Sequence, residues 1–118
     1  MVDDQFTVRE LQRSILEAAG YRVATACDGR DAIASLATEG DVGLIVTDLD
    51  MPEMDGLELL RHVRADAEWS MLPVVVVSGR GREEDRKLGL DQGADAYIVK
   101  DEFDQQTLLD TVARLLSP

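Results

Sequence analysis

The sequence predicts an α/β domain, a doubly wound three-layer sandwich built on a parallel sheet. Three observations point there. Short runs rich in β-branched residues alternate with segments of helical periodicity along the whole chain. The short runs are apolar throughout rather than alternating, as strands buried on both faces are. The residues able to do chemistry fall where these runs end, at the carboxyl edge where sites form in such sheets.

Met1 and Val2 form the stub of a first strand, which ends on Asp3 and Asp4. Val8, Leu11, Ile15 and Ala18 share one face of a first helix, with Thr7 and Glu10 spaced as a capping box. "YRVATA" is the second strand. The second helix carries Ala32, Ile33, Leu36 and Ala37, started by Asp28 and stopped by Gly40. "VGLIVTD" is the third strand, ending on Asp48. Asp55 caps the third helix, whose stripe is Leu59, Leu60 and Val63. "PVVVVS" is the fourth strand, ending on Ser78. Residues 83–92 make the weakest helix. They are highly charged, and Gly89 inside them costs ~1 kcal/mol relative to Ala. "AYIVK" is the fifth strand, ending on Lys100. Leu108, Leu109, Val112, Leu115 and Leu116 give the last helix its stripe, behind an Asp104 cap.

At 118 residues the chain is read as one domain, residues 1–118. Its net charge of −12 and pI near 4.3 argue against nucleic acid and anionic membrane as partners. No apolar run approaches the ~20 residues of a membrane span, and no targeting segment is read ahead of Asp3. Cys27 is the single cysteine, which suits a reducing, cytoplasmic setting. It is read as an inert small residue, His62 as a solvated surface histidine, and Trp69 as a loop residue without a role.

The acidity is not evenly spread. "VTDLDMPEMDG" puts three aspartates and a glutamate within eight residues of a strand end, where like charges repel unless a cation is held. Asp3 and Asp4 end the neighbouring strand. Oxygen-only ligands of this kind suit a hard ion such as Mg²⁺. With charge neutralised, one carboxylate can attack phosphorus. Lys100 adds a second positive charge, and Ser78 with Gly79 adds a hydroxyl and an approachable backbone N–H. The chemistry these parts allow is formation of an aspartyl phosphate.

"VDD", "TDLDMPEMDG", "VVVVSG" and "DAYIVK", in this order and spacing, resemble the receiver domain of response regulators in two-component signalling. The resemblance runs over essentially the whole chain. It implies a flavodoxin-like fold with a five-stranded sheet of order 2-1-3-4-5, the first strand being truncated here. It implies Asp48 as phosphoacceptor, Asp4 as direct Mg²⁺ ligand, Asp3 acting through water, and the Asp50 carbonyl as a further ligand. Lys100 pairs with the phosphoryl group, Ser78 is the switching hydroxyl, and Tyr97 changes rotamer with it. The partners implied are a histidine kinase or its phosphotransfer domain, and a downstream protein on the face of the fourth helix, fifth strand and fifth helix. "VDDQFTVRELQRSILEAAGYRV" and "YIVKDEFDQQTLLDTV" look most like receivers of chemotaxis-type hybrid histidine kinases. On this reading the chain is a switch rather than an enzyme.

Three features depart from the family pattern. Asp101 stands where proline is usual, and Asp50 is acidic where many relatives have Asn or Met, which bears on phosphoryl lifetime. The first strand is a stub at the centre of the sheet, expected to be completed by residues ahead of Met1 or by a partner chain. The alternative reading is a Mg²⁺-dependent phosphatase of haloacid-dehalogenase type using Asp48 as nucleophile, suggested by "DLD". Met51 and Pro52 following it, and the acidic pair one βαβ unit upstream, weigh against that. A calcium loop starting at Asp48 fails on Glu53, where glycine is required.

Overall fold

Five helices and three paired strands alternate in the computed structural model, which describes residues 1–3, 5–39, 41–49, 54–79, 81–100 and 105–116. In chain order the elements are α1 (Phe6–Ala18), α2 (Gly29–Glu39), β1 (Ile45–Thr47), α3 (Gly56–Ala65), β2 (Val74–Ser78), α4 (Glu83–Asp91), β3 (Ala96–Val99) and α5 (Gln105–Leu116). The strands are parallel in the order β1-β2-β3. Beyond β1, Val2 bridges Thr47 on one side and Ala26 on the other, both in parallel. The spatial sequence is therefore residue 26, residue 2, β1, β2, β3, which is the 2-1-3-4-5 order of a flavodoxin-like sheet.

Strand β2 explains why its sequence is apolar throughout. Val74 and Val76 enter one core with Leu36, Leu59, Leu60 and Val63, while Val75 and Val77 enter another with Ile15, Leu16, Leu108 and Val112. Successive side chains point to opposite faces, so a strand covered on both sides needs no polar position. Helices α2 and α3 pack together on the first face, and α1 and α5 on the second. Each fully buried valine or leucine contributes ~1.5–3 kcal/mol.

The helix caps are partly as expected. Asp55 Oδ1 accepts from Glu58 N–H at 2.9 Å, and Asp28 Oδ1 accepts from Asp31 N–H at 2.8 Å. Asp31 Oδ2 in turn accepts from Cys27 N–H at 3.0 Å, one residue ahead of the cap. Cys27 is exposed, and His62 is exposed beside the buried stripe of α3. Trp69, read as a loop residue, lies in the turn after α3 and packs against the first core. Gly40 and Asp104 lie outside the described residues.

Three expectations are corrected. The Thr7–Glu10 capping box does not form, because α1 already starts at Phe6 with Gln5 at its N-cap and no side-chain cap. Glu10 instead pairs with Arg13 at 3.0 Å. The buried face of α1 is Gln12, Ile15 and Leu16, whereas Leu11 is 56% exposed and Ala18 is exposed. Centring the contact between the adjacent Ile15 and Leu16 turns the row through Leu11 and Ala18 onto the flank. Last, residues 21–26 pair only at Ala26, and β1 starts at Ile45 rather than Val42. Between them Val2 bridges Ala26 on one side and Thr47 on the other, so among the described residues the pairing on each side of the stub is a single bridge.

Candidate functional site

Asp48 is placed by the backbone on both sides. Its N–H donates to Val2 O at 2.9 Å, tying it to the first-strand stub, and its carbonyl accepts from Thr47 Oγ1 at 2.9 Å. Its Oδ1 accepts from Leu49 N–H at 2.8 Å, which leaves Oδ2 for the site. The turn is closed by Gly56, whose N–H donates to Leu49 O at 2.9 Å. A Cβ on Gly56 would overlap the Asp48 carbonyl oxygen, so only glycine allows α3 to start this close to the strand end.

Asp3 reaches the same place from the neighbouring stub. It is completely buried, its N–H donates to Ala26 O at 3.1 Å, and its Oδ1 accepts from Gln5 N–H at 2.9 Å. Arg9 donates to the Asp3 carbonyl at 2.9 Å, an anchoring contact that sequence reading missed. Asp3 Oδ2 is buried without a hydrogen-bond donor. Its charged neighbour is Lys100 Nζ at 3.5 Å, and the same ammonium lies 3.3 Å from Asp48 Oδ2. One cation from the end of β3 thus bridges two buried carboxylates from two other strand ends. Burial pushes the Asp48 carboxyl above its ordinary range and Asp3 adds to this, while Lys100 and the Leu49 N–H oppose it.

Ser78 ends β2 and is fully buried, and Gly79 after it is exposed, with nothing within 4 Å of where a Cβ would stand. In the β2–β3 register Val76 pairs with Tyr97 and Ser78 with Val99, so Ser78 and Tyr97 project from one face of the sheet. The Tyr97 ring is buried against α4. A Cβ on Gly89 would stand 3.1 Å from Tyr97 Cδ2. No local signal in the sequence marks this glycine as the seat of a ring 8 residues away. Asp4, Asp50 and Asp101 lie outside the described residues, and among the described residues no group of three acidic, His or Cys side chains gathers. The described residues thus bring Asp3, Asp48 and Lys100 together.

Residues 1–113 match the response regulator receiver domain, and the chain belongs to that family. It is 35% identical over 115 residues to a gliding motility regulatory protein of Myxococcus xanthus, covering 98% of this chain and 15% of that protein. It is 39% identical over 116 residues to the response regulator MprA of Mycolicibacterium vanbaalenii, covering 98% of this chain and 48% of the relative. The chain therefore spans less than half the length of either curated relative. Among solved structures, the signal receiver domain of a signal transduction histidine kinase from Syntrophus aciditrophicus is similar with a TM-score of 0.88. That match is at 33% identity and covers 98% of this chain and 86% of the other.

Receiver domains serve two-component signalling by accepting a phosphoryl group on an aspartate, and generally bind Mg²⁺ at that site. They work with histidine kinases or phosphotransfer proteins and with downstream effectors. The haloacid-dehalogenase reading of "DLD" is thereby set aside. Among the described residues no helix is long and apolar enough to cross a membrane.

Proposed function

We propose that Asp48 is the residue that takes the phosphoryl group, with Lys100 as its electrostatic partner. The observation that carries this is the Lys100 ammonium held 3.3 Å from Asp48 Oδ2 and 3.5 Å from Asp3 Oδ2. Asp48 Oδ2 attacks phosphorus and a C–O–P mixed anhydride forms. The P–N bond of the donor phosphohistidine breaks, and its electron pair returns to the imidazole nitrogen. Lys100 is positioned to meet the charge that then sits on the phosphoryl oxygens. Gly79 leaves its backbone open to the same oxygens, and Ser78 supplies a hydroxyl from the next strand end.

The buried, donor-free Asp3 Oδ2 facing Asp48 fits a hard cation, because only oxygen ligands are gathered there. Asp48, Asp4, Asp3 through water and the Asp50 carbonyl are the residues we assign to Mg²⁺. When bound, the ion supplies charge neutralisation that lets an anionic carboxylate approach an anionic donor. Asp3 contributes by fixing the first-strand stub against residue 26 and by holding Lys100 in place.

The switch is assigned to Ser78 and Tyr97, which share a sheet face beside a helix whose only buried residue is Gly89. The output surface is α4–β3–α5, where Leu88, Leu90 and Leu116 are exposed. A histidine kinase or its phosphotransfer domain is the donor, and the setting is cytoplasmic. Intact mass after incubation with Mg²⁺ and a small phosphodonor tests the assignment. One phosphoryl is gained by the parent and by Asp55→Asn, and none by Asp48→Asn. Labelling of Asp48→Asn would sink it.

A further inference from the structure

Residues 26–31, the turn into α2, join the two acid-bearing segments of the site through main-chain contacts. On one side Ala26 N–H donates to Met1 O at 2.9 Å, and Ala26 O accepts from Asp3 N–H at 3.1 Å. Three residues later Gly29 N–H donates to Met54 O at 3.1 Å. Met54 directly precedes the Asp55 cap of α3, and its side chain packs against the first core. Asp50 stands in the chain between two held carbonyls. That of Leu49 is held by Gly56 N–H, and that of Met54 by Gly29 N–H. One short turn therefore touches the segment of Asp3 and Asp4 at one end and the segment of Asp48 and Asp50 at the other.

Gly29 occupies its place for a steric reason. It is buried, and a Cβ on it would stand 2.7 Å from Met54 O as well as 2.6 Å from Met54 Cγ. A methionine side chain can swing aside. A carbonyl engaged in a backbone hydrogen bond cannot, so a larger residue drives the two backbones apart. The turn is also stiffened from within. Asp28 Oδ1 accepts from Asp31 N–H at 2.8 Å and Asp31 Oδ2 from Cys27 N–H at 3.0 Å, which holds both residues between Ala26 and Gly29. A stiff piece bonded at each end fixes the separation of what it joins.

We propose that residues 26–31 set the spacing of the cation site, with Gly29 and Asp31 as positioning residues for Mg²⁺. This rests on the assignment of Asp3, Asp4, Asp48 and the Asp50 carbonyl to that ion. Mg²⁺ demands near-octahedral oxygen positions at about 2.0–2.1 Å and tolerates little error in them. The acidic pair and the Asp48 run are far apart in sequence, so only folded contacts fix their separation. The Val2–Thr47 bridge fixes the strand ends, but Asp50 lies three residues beyond Thr47, where β1 has ended. Past that point the Gly29–Met54 contact takes over. Gly29 and Asp31 act through the segments they hold rather than on the ion, and loss of such outer contacts typically costs about 10–100-fold in metal affinity.

The Mg²⁺ dissociation constant of the folded protein, read by NMR titration of its amides beside urea unfolding in EDTA, tests this. Gly29→Ala should weaken Mg²⁺ binding about tenfold or more. Asp31→Ala removes the acceptor for Cys27 N–H, whereas Asp31→Asn makes the same charge change and keeps an oxygen there. Mg²⁺ should therefore bind Asp31→Ala severalfold more weakly than Asp31→Asn. A merely structural role would lower the unfolding free energy in EDTA and leave the dissociation constant unmoved. That result for Gly29→Ala overturns the proposal, and so do equal constants in the two Asp31 variants. If Gly29→Ala does not fold, the Asp31 pair decides alone, since neither adds bulk. Asp48→Asn separates the spacing role from the assignment beneath it. Equal Mg²⁺ binding by the parent and Asp48→Asn means that the ion is not held by Asp48, and both readings fall. Tighter binding by the parent than by Asp48→Asn, with Gly29→Ala equal to the parent, means that only the spacing role is wrong.

Discussion

Replacing Lys100 with Met keeps the apolar stem and removes the charge that two buried carboxylates share. Its Nζ lies 3.3 Å from Asp48 and 3.5 Å from Asp3, and at an effective dielectric of about 20 each contact is worth ~5 kcal/mol of attraction. Desolvation of the three groups offsets most of that. Removing one partner of a buried pair nevertheless costs ~3–5 kcal/mol, because the remaining charge keeps its desolvation penalty. The Lys100 side chain is 27% exposed, so water replaces part of it, and a loss of about 2–4 kcal/mol is expected in the metal-free protein. With no ammonium competing for the same oxygens, Mg²⁺ should bind Lys100→Met more tightly than the parent and stabilise it by more. Urea unfolding in EDTA and across a Mg²⁺ titration reads both quantities, and phosphodonor labelling of the variant should be slow. Equal unfolding free energies in EDTA, or a Mg²⁺ increment no larger than the parent's, would refute the coupling of the three groups.

Two further outcomes follow from the packing and the charge. Gly89→Ala gains ~1 kcal/mol of helix propensity, but the new Cβ stands 3.1–3.3 Å from the Tyr97 ring, which must give by a few tenths of an ångström. Stability should therefore change by less than ~1 kcal/mol while Tyr97 side-chain resonances shift; a full stabilisation with unmoved resonances would show that the ring does not sense this contact. The Met1 ammonium, lowered by burial to about 6, is protonated in the unfolded chain up to about pH 8. The unfolded state thus binds more protons between those values, so stability should rise with pH from 6 to 8, by at most about 3 kcal/mol, and be flat on either side. The measured quantity is the difference between the free and N-acetylated chains, in which the contributions of all other groups cancel. An identical pH profile for the two would count against burial of this group.

What could be read from the sequence divides by the range of the forces involved. The run "PVVVVS" sufficed to place β2, because four consecutive valines have no solvent face to offer and demand cover on both sides. The convergence of Asp3, Asp48 and Lys100 was legible for a related reason: each ends a strand, and parallel strands share one carboxyl edge. The burial of α1 was not legible. Leu11 and Leu16 both fit a 3.6-residue stripe, and only the position of α5 and the sheet decides between them. The extent of pairing at residues 21–26 was likewise out of reach, since strand character there depends on a neighbour far away in sequence.

Gly89 shows most clearly how a local penalty changes meaning once the fold is formed. Taken alone it weakens α4, a nine-residue helix with three acidic residues in its first turn. In the folded chain it is the only buried position of that helix, and the missing side chain is the space the Tyr97 ring occupies. The helix is therefore held to the sheet through an aromatic ring lying on bare backbone rather than through an apolar stripe. Contacts of that kind are few and easily exchanged, and Ser78 lies on the same sheet face one rung from Tyr97. On the switch proposed above, a change in charge beside Ser78 would need to move only this ring to loosen the helix. A leucine stripe on α4 would have made the same region stable and unresponsive.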